Sequence, residues 1–353
     1  MIKKIAVLPG DGVGPEVTAQ AVKVLKKIGE KFDHGFDFEE GLIGACAIDK
    51  TGNPYPQETH KLCLKSDAIL FGAIGDPKYD NDPKAKMRPE QGLLKMRKSL
   101  GLFANLRPIM TFPSTYAKSP LKPNIIQGVD FIVVRELTGG IYFGEHKRTK
   151  NGSSAYDICN YSKKEIVRVA KIAFDLAGKR RKKVTLVDKA NVLETSRLWR
   201  ETIKQLTTNY EQITVDYMFV DNAAMQIIKR PSDFDVILTE NMFGDILTDE
   251  ASVITGSIGM LPSASIGKKT ALYEPIHGSF PKAAGLNIAN PIGAILSAAM
   301  MLEISFQMPQ EAYAIRNAIN KVLQKGLGTK DIVENNPLTT NELGDEINRV
   351  VFL

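Results

Sequence analysis

Asp245 and Asp249 stand four residues apart in Glu240-Asn241-Met242-Phe243-Gly244-Asp245-Ile246-Leu247-Thr248-Asp249-Glu250. On a helix that spacing puts both carboxylates on one face. Like charges so placed repel by about a few tenths of a kcal/mol, and the positive end of a helix offsets only part of this. A hard divalent cation taking oxygens from both would turn the cost into an attraction. An acidic first turn at the surface explains the pair equally well, and these residues alone leave the two readings level.

Other charges stand where strands end. Val133-Val134-Arg135 closes an apolar run on a guanidinium, a costly arrangement without an anion partner. The run 184–187 leads into Asp188-Lys189-Ala190-Asn191, the run 215–220 into Asp221, and the run 235–239 into Glu240. Lys189, Asp221 and Asp245 thus recur at or just beyond C-terminal strand ends, and their convergence argues for a site. In Arg88-Pro89-Glu90-Gln91-Gly92-Leu93-Leu94-Lys95-Met96-Arg97, residues Glu90, Leu93, Leu94 and Arg97 share one helical face. Adjacent leucines are ordinarily core and Arg97 would ordinarily snorkel. The same four residues also suit a site that holds an anionic head beside a branched alkyl tail.

Several elements must position these groups. Lys4-Ile5-Ala6-Val7-Leu8 reads as a strand, followed by Pro9-Gly10-Asp11-Gly12-Val13-Gly14-Pro15-Glu16. Pro15 takes the place of the third fingerprint glycine, so G-x-G-x-x-G is not met, and an ordinary βα connection is expected. The helix that Pro15 opens carries Val17, Ala21, Val24, Leu25 and Ile28 as its apolar stripe. The run 67–75 reads as a buried strand ending in a Gly-rich turn, the kind of strand end where open α/β sheets take ligands. Asn151-Gly152 signals a hairpin with polar flanks, hence a projecting ribbon. Ser162-Lys163-Lys164-Glu165 is a capping box. Lys179-Arg180-Arg181-Lys182-Lys183 reads as a solvated helix end. Helical patterns close the chain at 312–323 and 343–350.

Composition narrows the function classes. The chain has 353 residues, enough for one large domain or two ordinary ones. No apolar run approaches the roughly 20 residues that span a membrane. The apolar run after Lys3-Lys4 is too short for a signal peptide. Cys46, Cys63 and Cys159 are far apart and odd in number, which argues against a disulfide framework and fits a cytoplasmic protein. No Cys-x-x-Cys suggests structural zinc. The formal charge of +6 comes without an aromatic-interleaved basic surface, so no nucleic-acid partner is expected.

Five separated motifs together resemble the β-decarboxylating dehydrogenases, the isocitrate and isopropylmalate dehydrogenase family. They are Gly10-Asp11-Gly12-Val13-Gly14-Pro15-Glu16, Arg135-Glu136-Leu137-Thr138-Gly139-Gly140-Ile141-Tyr142, Asp188-Lys189-Ala190-Asn191-Val192, Asn241 to Asp249, and Glu274-Pro275-Ile276-His277-Gly278-Ser279. The resemblance implies a non-Rossmann α/β fold of two α/β domains sharing a central sheet. The first domain would be discontinuous, 1–99 and 252–353. The second, 100–251, would carry a dimer arm at about 145–161, with active sites shared across a homodimer. Arg97, Arg107 and Arg135 match the positions that hold the malate carboxylates, and Glu90, Leu93, Leu94 and Asp221 complete the substrate set. Asp245 and Asp249, with Asp221 of the partner subunit, match Mg²⁺ or Mn²⁺ ligands. Tyr142 and the partner's Lys189 match the acid–base pair. The cofactor loop is matched by Glu274 and by His277, Gly278, Ser279, Phe280, Pro281, Lys282, Ala283, Ala284, Gly285, Ala289 and Asn290, with Ala73, Ile74, Gly75 and Asn191 also assigned to the cofactor.

The chemistry so implied is oxidation of a 2-hydroxy acid at C2 followed by loss of the C3 carboxylate. Leu93 and Leu94 favour an isopropyl substituent. Burying it is worth about 2 kcal/mol at ~0.8 per carbon, whereas a third carboxylate there would lack a partner. The expected activity is therefore oxidative decarboxylation of 3-isopropylmalate with NAD. Lys282 departs from the Asp usual in NAD-using relatives and resembles the NADP-using isocitrate enzymes, although Ala283 replaces the Tyr that those pair with it. The alternatives are a relative acting on isocitrate, homoisocitrate or a tartrate- or malate-like acid, and a catalytically silent regulatory paralogue.

Overall fold

A computed structural model of the chain describes residues 2–80 and 87–352. It divides into two compact units, one of residues 1–102, 112–118 and 255–353, the other of residues 103–111 and 119–254. Each has strands and helices of its own, as expected of an α/β chain. The return of 112–118 to the first unit has no signal in the sequence.

In the first unit the strands lie in the order Gly35–Glu40, Ile2–Gly10, Ala68–Ala73, Ala271–Pro275, Pro262–Gly267. All neighbours are parallel except the last pair. The register pairs Gly10 with Ala73, so two parallel strands end level and release Asp11 and Ile74 side by side. The expected stripe of the helix Gly14–Phe32 is buried at every position named from the sequence. The helix Ile292–Ile304 went unread. It is buried almost all round, so it has no polar face and no 3.6-residue alternation to betray it.

In the second unit the order is Leu102–Met110, Asp130–Glu136, Val236–Thr239, Lys183–Asp188, Thr214–Phe219. The first pair is antiparallel and the others parallel. Thr239 is in register with Arg135 on one side and Val187 on the other, and Asp188 with Phe219. The C-terminal ends of four strands thus share one edge, and the charged residues that follow them emerge there together. The Asn151-Gly152 signal forms a hairpin of His146–Arg148 with Ala155–Asp157, exposed along its length. The capping box forms as read, with Ser162 and Glu165 exchanging backbone hydrogen bonds at the start of Lys163–Gly178.

One expectation fails. The basic run after that helix is more than a solvated end. Arg180 donates to Asp235 and Asp130 at 2.8 Å each, and Asp235 is almost wholly buried. Arg181 donates to the carbonyls of Asp130 and Phe234. A buried carboxylate needs a charge partner, and sequence spacing cannot show a partner 55 residues away. No helix among the described residues is long and apolar enough to cross a membrane.

Candidate active site

The second unit gathers the first cluster. Glu240 caps the helix Asn241–Ser252 by accepting from the Phe243 amide, so the two aspartates fall on successive turns of one face, as their spacing required. Arg135 ends its strand almost fully buried and does have an anion partner. Its Nη1 donates to Asp245 Oδ1 at 2.5 Å, and its Nε donates to Asn241 Oδ1 at 3.0 Å. Tyr142 donates from its hydroxyl to the other oxygen of Asp245 at 2.8 Å. Burial, and then the hydrogen bond to Asp245, push the Tyr142 phenol up to about 12. Tyr142 is therefore a neutral phenol, able to donate a proton, across the working pH range.

Arg107 serves the second aspartate. Its Nη1 donates to Thr248 Oγ1 at 2.6 Å and reaches Asp249 Oδ1 at 3.4 Å, while its Nε donates to Asn105. Asp245 and Asp249 present only carboxylate oxygens, and their side chains remain 38% and 71% exposed. An exposed pair of hard oxygen donors fits Mg²⁺ or Mn²⁺. Among the described residues, however, no three His, Cys, Asp or Glu side chains are grouped to hold a metal.

Asp221 is accordingly elsewhere. It sits in the first turn of the helix Val220–Lys229, with its side chain exposed, and accepts a short hydrogen bond from Lys189 Nζ. That bond holds the Asp221 carboxyl below the usual carboxylate range. The sequence placed Asp221 just beyond a strand end, and it is there: the strand ends at Phe219 and the helix takes over at once. Asn191 follows Lys189 in an exposed turn.

In the first unit the helix Pro89–Leu100 carries the other candidates. Leu93 is partly buried against the core cluster of Phe71, Met96 and Leu100, together with Ile74. Leu94 is 46% exposed. The shared face thus divides into one leucine that supports and one that projects. Arg97 Nη2 donates to Glu274 Oε1 at 2.7 Å, joining a substrate candidate to a cofactor candidate. Gly75, at φ +118°, makes room for both sets. A Cβ there would lie 2.9 Å from Glu90 Oε1 and 3.4 Å from Ser279 Oγ.

The candidate cofactor loop lines a pocket of about 510 Å³ in the same unit. His277, Gly278, Phe280, Ala289 and Asn290 are in its wall, as read from the sequence. The wall also includes Val13, Ser257, Ile258, Gly259, Ile288, Lys330 and Asp331, which were not chosen. Ser257 to Gly259, Lys330 and Asp331 are not among the residues that the sequence singles out. Asp331 accepts from Asn290 Nδ2 at 2.9 Å and from Ser257 Oγ, so it fixes two walls at once. Burial lowers the His277 pKa, leaving a neutral imidazole at neutral pH, and its Nε2 is buried without a hydrogen-bond partner. An apolar pocket with an unmet ring nitrogen suits a flat heteroaromatic ring. Lys282 is exposed and Ala283 buried in the turn Pro281–Ala283.

The chain matches the family described as isocitrate/isopropylmalate dehydrogenase over residues 4–347. It is 55% identical to the 3-isopropylmalate dehydrogenase of Geobacillus kaustophilus, over 99% of this chain and 95% of that one. It is 57% identical to the 3-isopropylmalate dehydrogenase of Carboxydothermus hydrogenoformans, over 97% and 93%. Its fold resembles the crystal structure of isocitrate dehydrogenase from Methylococcus capsulatus, with a TM-score of 0.89 at 33% identity, covering 99% of this chain and all of the other.

Proposed function

Because this chain belongs to the isocitrate/isopropylmalate dehydrogenase family, we propose that it catalyses the oxidative decarboxylation of 3-isopropylmalate to 4-methyl-2-oxopentanoate, a step of leucine biosynthesis. The observation that carries this reading is the cluster of Arg135, Tyr142 and Asp245, which joins an anion binder, a proton donor and a metal-type carboxylate within hydrogen-bond reach.

Arg97, Arg107 and Arg135 hold the two malate carboxylates, and Leu94, backed by Leu93, receives the isopropyl group. Asp245 and Asp249, with the partner's Asp221, would hold a divalent cation, which when bound would supply Lewis-acid polarisation of the C2 hydroxyl. The loop 277–290 would hold NAD, which would supply the hydride acceptor for C2. The partner's Lys189, as the neutral amine freed from its ion pair when the partner's Asp221 turns to the cation, would accept the hydroxyl proton. Loss of CO₂ then leaves carbanion character at C3, and Tyr142 returns a proton there.

Homodimerisation is supported by the surface of the second unit. Val192, Leu193, Met225, Ile246 and Val253 are all exposed there, as are Tyr156 and Ile158 of the hairpin arm. Exposed large apolar side chains are what an isologous interface covers. The three cysteines are free thiols, which suits the cytoplasm.

Two assays test the proposal. NADH formation from isopropylmalate should exceed that from isocitrate by about a hundredfold or more in kcat/KM, the discrimination expected when a buried carboxylate would lack a partner. A preference for isocitrate would overturn the substrate. NAD should be preferred over NADP, because Lys282 stands without the Tyr that accompanies it in NADP-using relatives. A preference for NADP beyond about tenfold would assign Lys282 to a 2′-phosphate.

A further inference from the structure

The turn 10–14, expected to be an ordinary strand-to-helix connection, is tied to three other segments of the first unit. Asp11 is buried, 6% exposed, and its carboxylate accepts from three backbone amides. Oδ2 takes Ala45 N at 2.8 Å and Gly75 N at 2.9 Å, and Oδ1 takes Cys46 N at 2.9 Å. Its own amide donates to Ala73 O at 2.9 Å. The end of the strand Ala68–Ala73 is therefore bound to Asp11 through Ala73 and Gly75, two residues of the candidate cofactor set.

The same turn grips the loop that lines the pocket. Val13, itself in the pocket wall, donates to Ser279 O at 2.8 Å. That approach needs the glycine before it. Gly12 has φ +59°, and a Cβ there would lie 1.9 Å from Ser279 O. One turn on, Glu16 Oε1 accepts from Gly285 N at 2.5 Å, while Glu16 Oε2 is buried without a partner. The turn thus holds the loop at Ser279 and at Gly285, on either side of Lys282.

We infer that Asp11 is a positioning residue for the dinucleotide site, fixing the turn 73–75 directly and, through Val13 and Glu16, the conformation of the loop 279–285. Nothing in this role requires Asp11 to touch the dinucleotide. A carboxylate is needed because both oxygens must accept: three N–H groups converge on it, and a carboxylate is the acceptor-only side chain of that length. This rests on the reading of 277–290 as the dinucleotide loop.

Asp11→Asn tests it with almost no change in volume. Whichever way the amide lies, its NH₂ faces at least one backbone N–H. Binding is measured by NADH fluorescence titration of the full-length protein, with amide exchange of the same samples. The dissociation constant for NADH should rise by about tenfold, the equivalent of one buried donor left unmet. Exchange protection should fall at Cys46, Gly75 and the loop 279–285, and KM for NAD should rise while kcat at saturating NAD stays within about threefold. Unchanged NADH affinity would overturn the inference, as would kcat and the melting temperature falling together with it, which marks a general loss of structure. Should Asp11→Asn not fold, Glu16→Ala decides. It leaves the Asp11 contacts intact and removes the acceptor of the Gly285 amide, so it should weaken NADH binding and expose that amide; no change in either overturns the inference. If the unaltered protein does not bind NADH at all, the reading of the loop itself is wrong, a result distinct from these.

Discussion

Replacing Asp245 by asparagine should lower kcat with isopropylmalate by about a thousandfold or more at any Mg²⁺ concentration, while the chain stays folded. Metal activation of the C2 hydroxyl and of the charge that follows is worth several kcal/mol, and about 1.4 kcal/mol is tenfold in rate. An amide is a poor ligand for a hard cation beside a carboxylate. The fold should tolerate the change because asparagine keeps an oxygen for Arg135 Nη1, and Arg135 Nε retains Asn241. The melting temperature should therefore move by only a few degrees, the scale of one weakened charged hydrogen bond. Steady-state kinetics over a Mg²⁺ series, with thermal melting of the same samples, checks both parts. Unchanged turnover would mean that the acidic face is only the start of a helix.

Tyr142→Phe should lower kcat by about a hundred- to ten-thousandfold, the usual range for losing a general acid, and should leave KM for isopropylmalate nearly unchanged. The two effects separate because Tyr142 is 43% exposed and its hydroxyl donates to Asp245, so it carries little of the substrate's binding. The pH dependence gives a second sign. The neutral phenol is the donating form, and with a pKa pushed up to about 12 it is about nine-tenths protonated one unit below that value. Loss of activity with rising pH, if Tyr142 caused it, would therefore begin only above about pH 11. An alkaline limb near pH 9 must come from another group, and it should persist at reduced height in the Phe variant. Stopped-flow measurement of hydride transfer would find that step nearly unchanged, because the missing proton is delivered after it.

What the sequence made legible follows from the range over which each signal acts. Asp245 and Asp249 were placed on one helix face because four residues is a helical distance, and Arg135 was matched to an anion because a guanidinium at the end of an apolar strand requires one. The partner it found, Asp245, is 110 residues away and could be anticipated only through the family resemblance. Asp11 shows the opposite case. Its neighbours are glycines and a valine, and nothing near it in the chain announces that Ala45, Cys46 and Gly75 will bring their amides to it. Asp331 was missed for the same reason. The helix Ile292–Ile304 was missed because burial on every side removes the alternation by which helices are recognised. Arg180 was misjudged because a run of five basic residues reads as solvated until Asp235 is seen beneath it.

The proposed site takes Asp245, Asp249 and Tyr142 from one chain and Asp221 and Lys189 from another. Within one chain Asp221 is engaged by Lys189, and no three-acid group forms among the described residues. The most direct test is complementation. Chains carrying Asp245→Asn and chains carrying Asp221→Asn are co-expressed with different tags, and the mixed dimer is purified through both. Each variant alone should be inactive with isopropylmalate, NAD and Mg²⁺. In the mixed dimer one site collects both substitutions and the other collects neither, so it should form NADH and CO₂ at about half the wild-type rate per dimer, as two-fold symmetry requires. A mixed dimer no more active than either variant alone would contradict a site built from two chains.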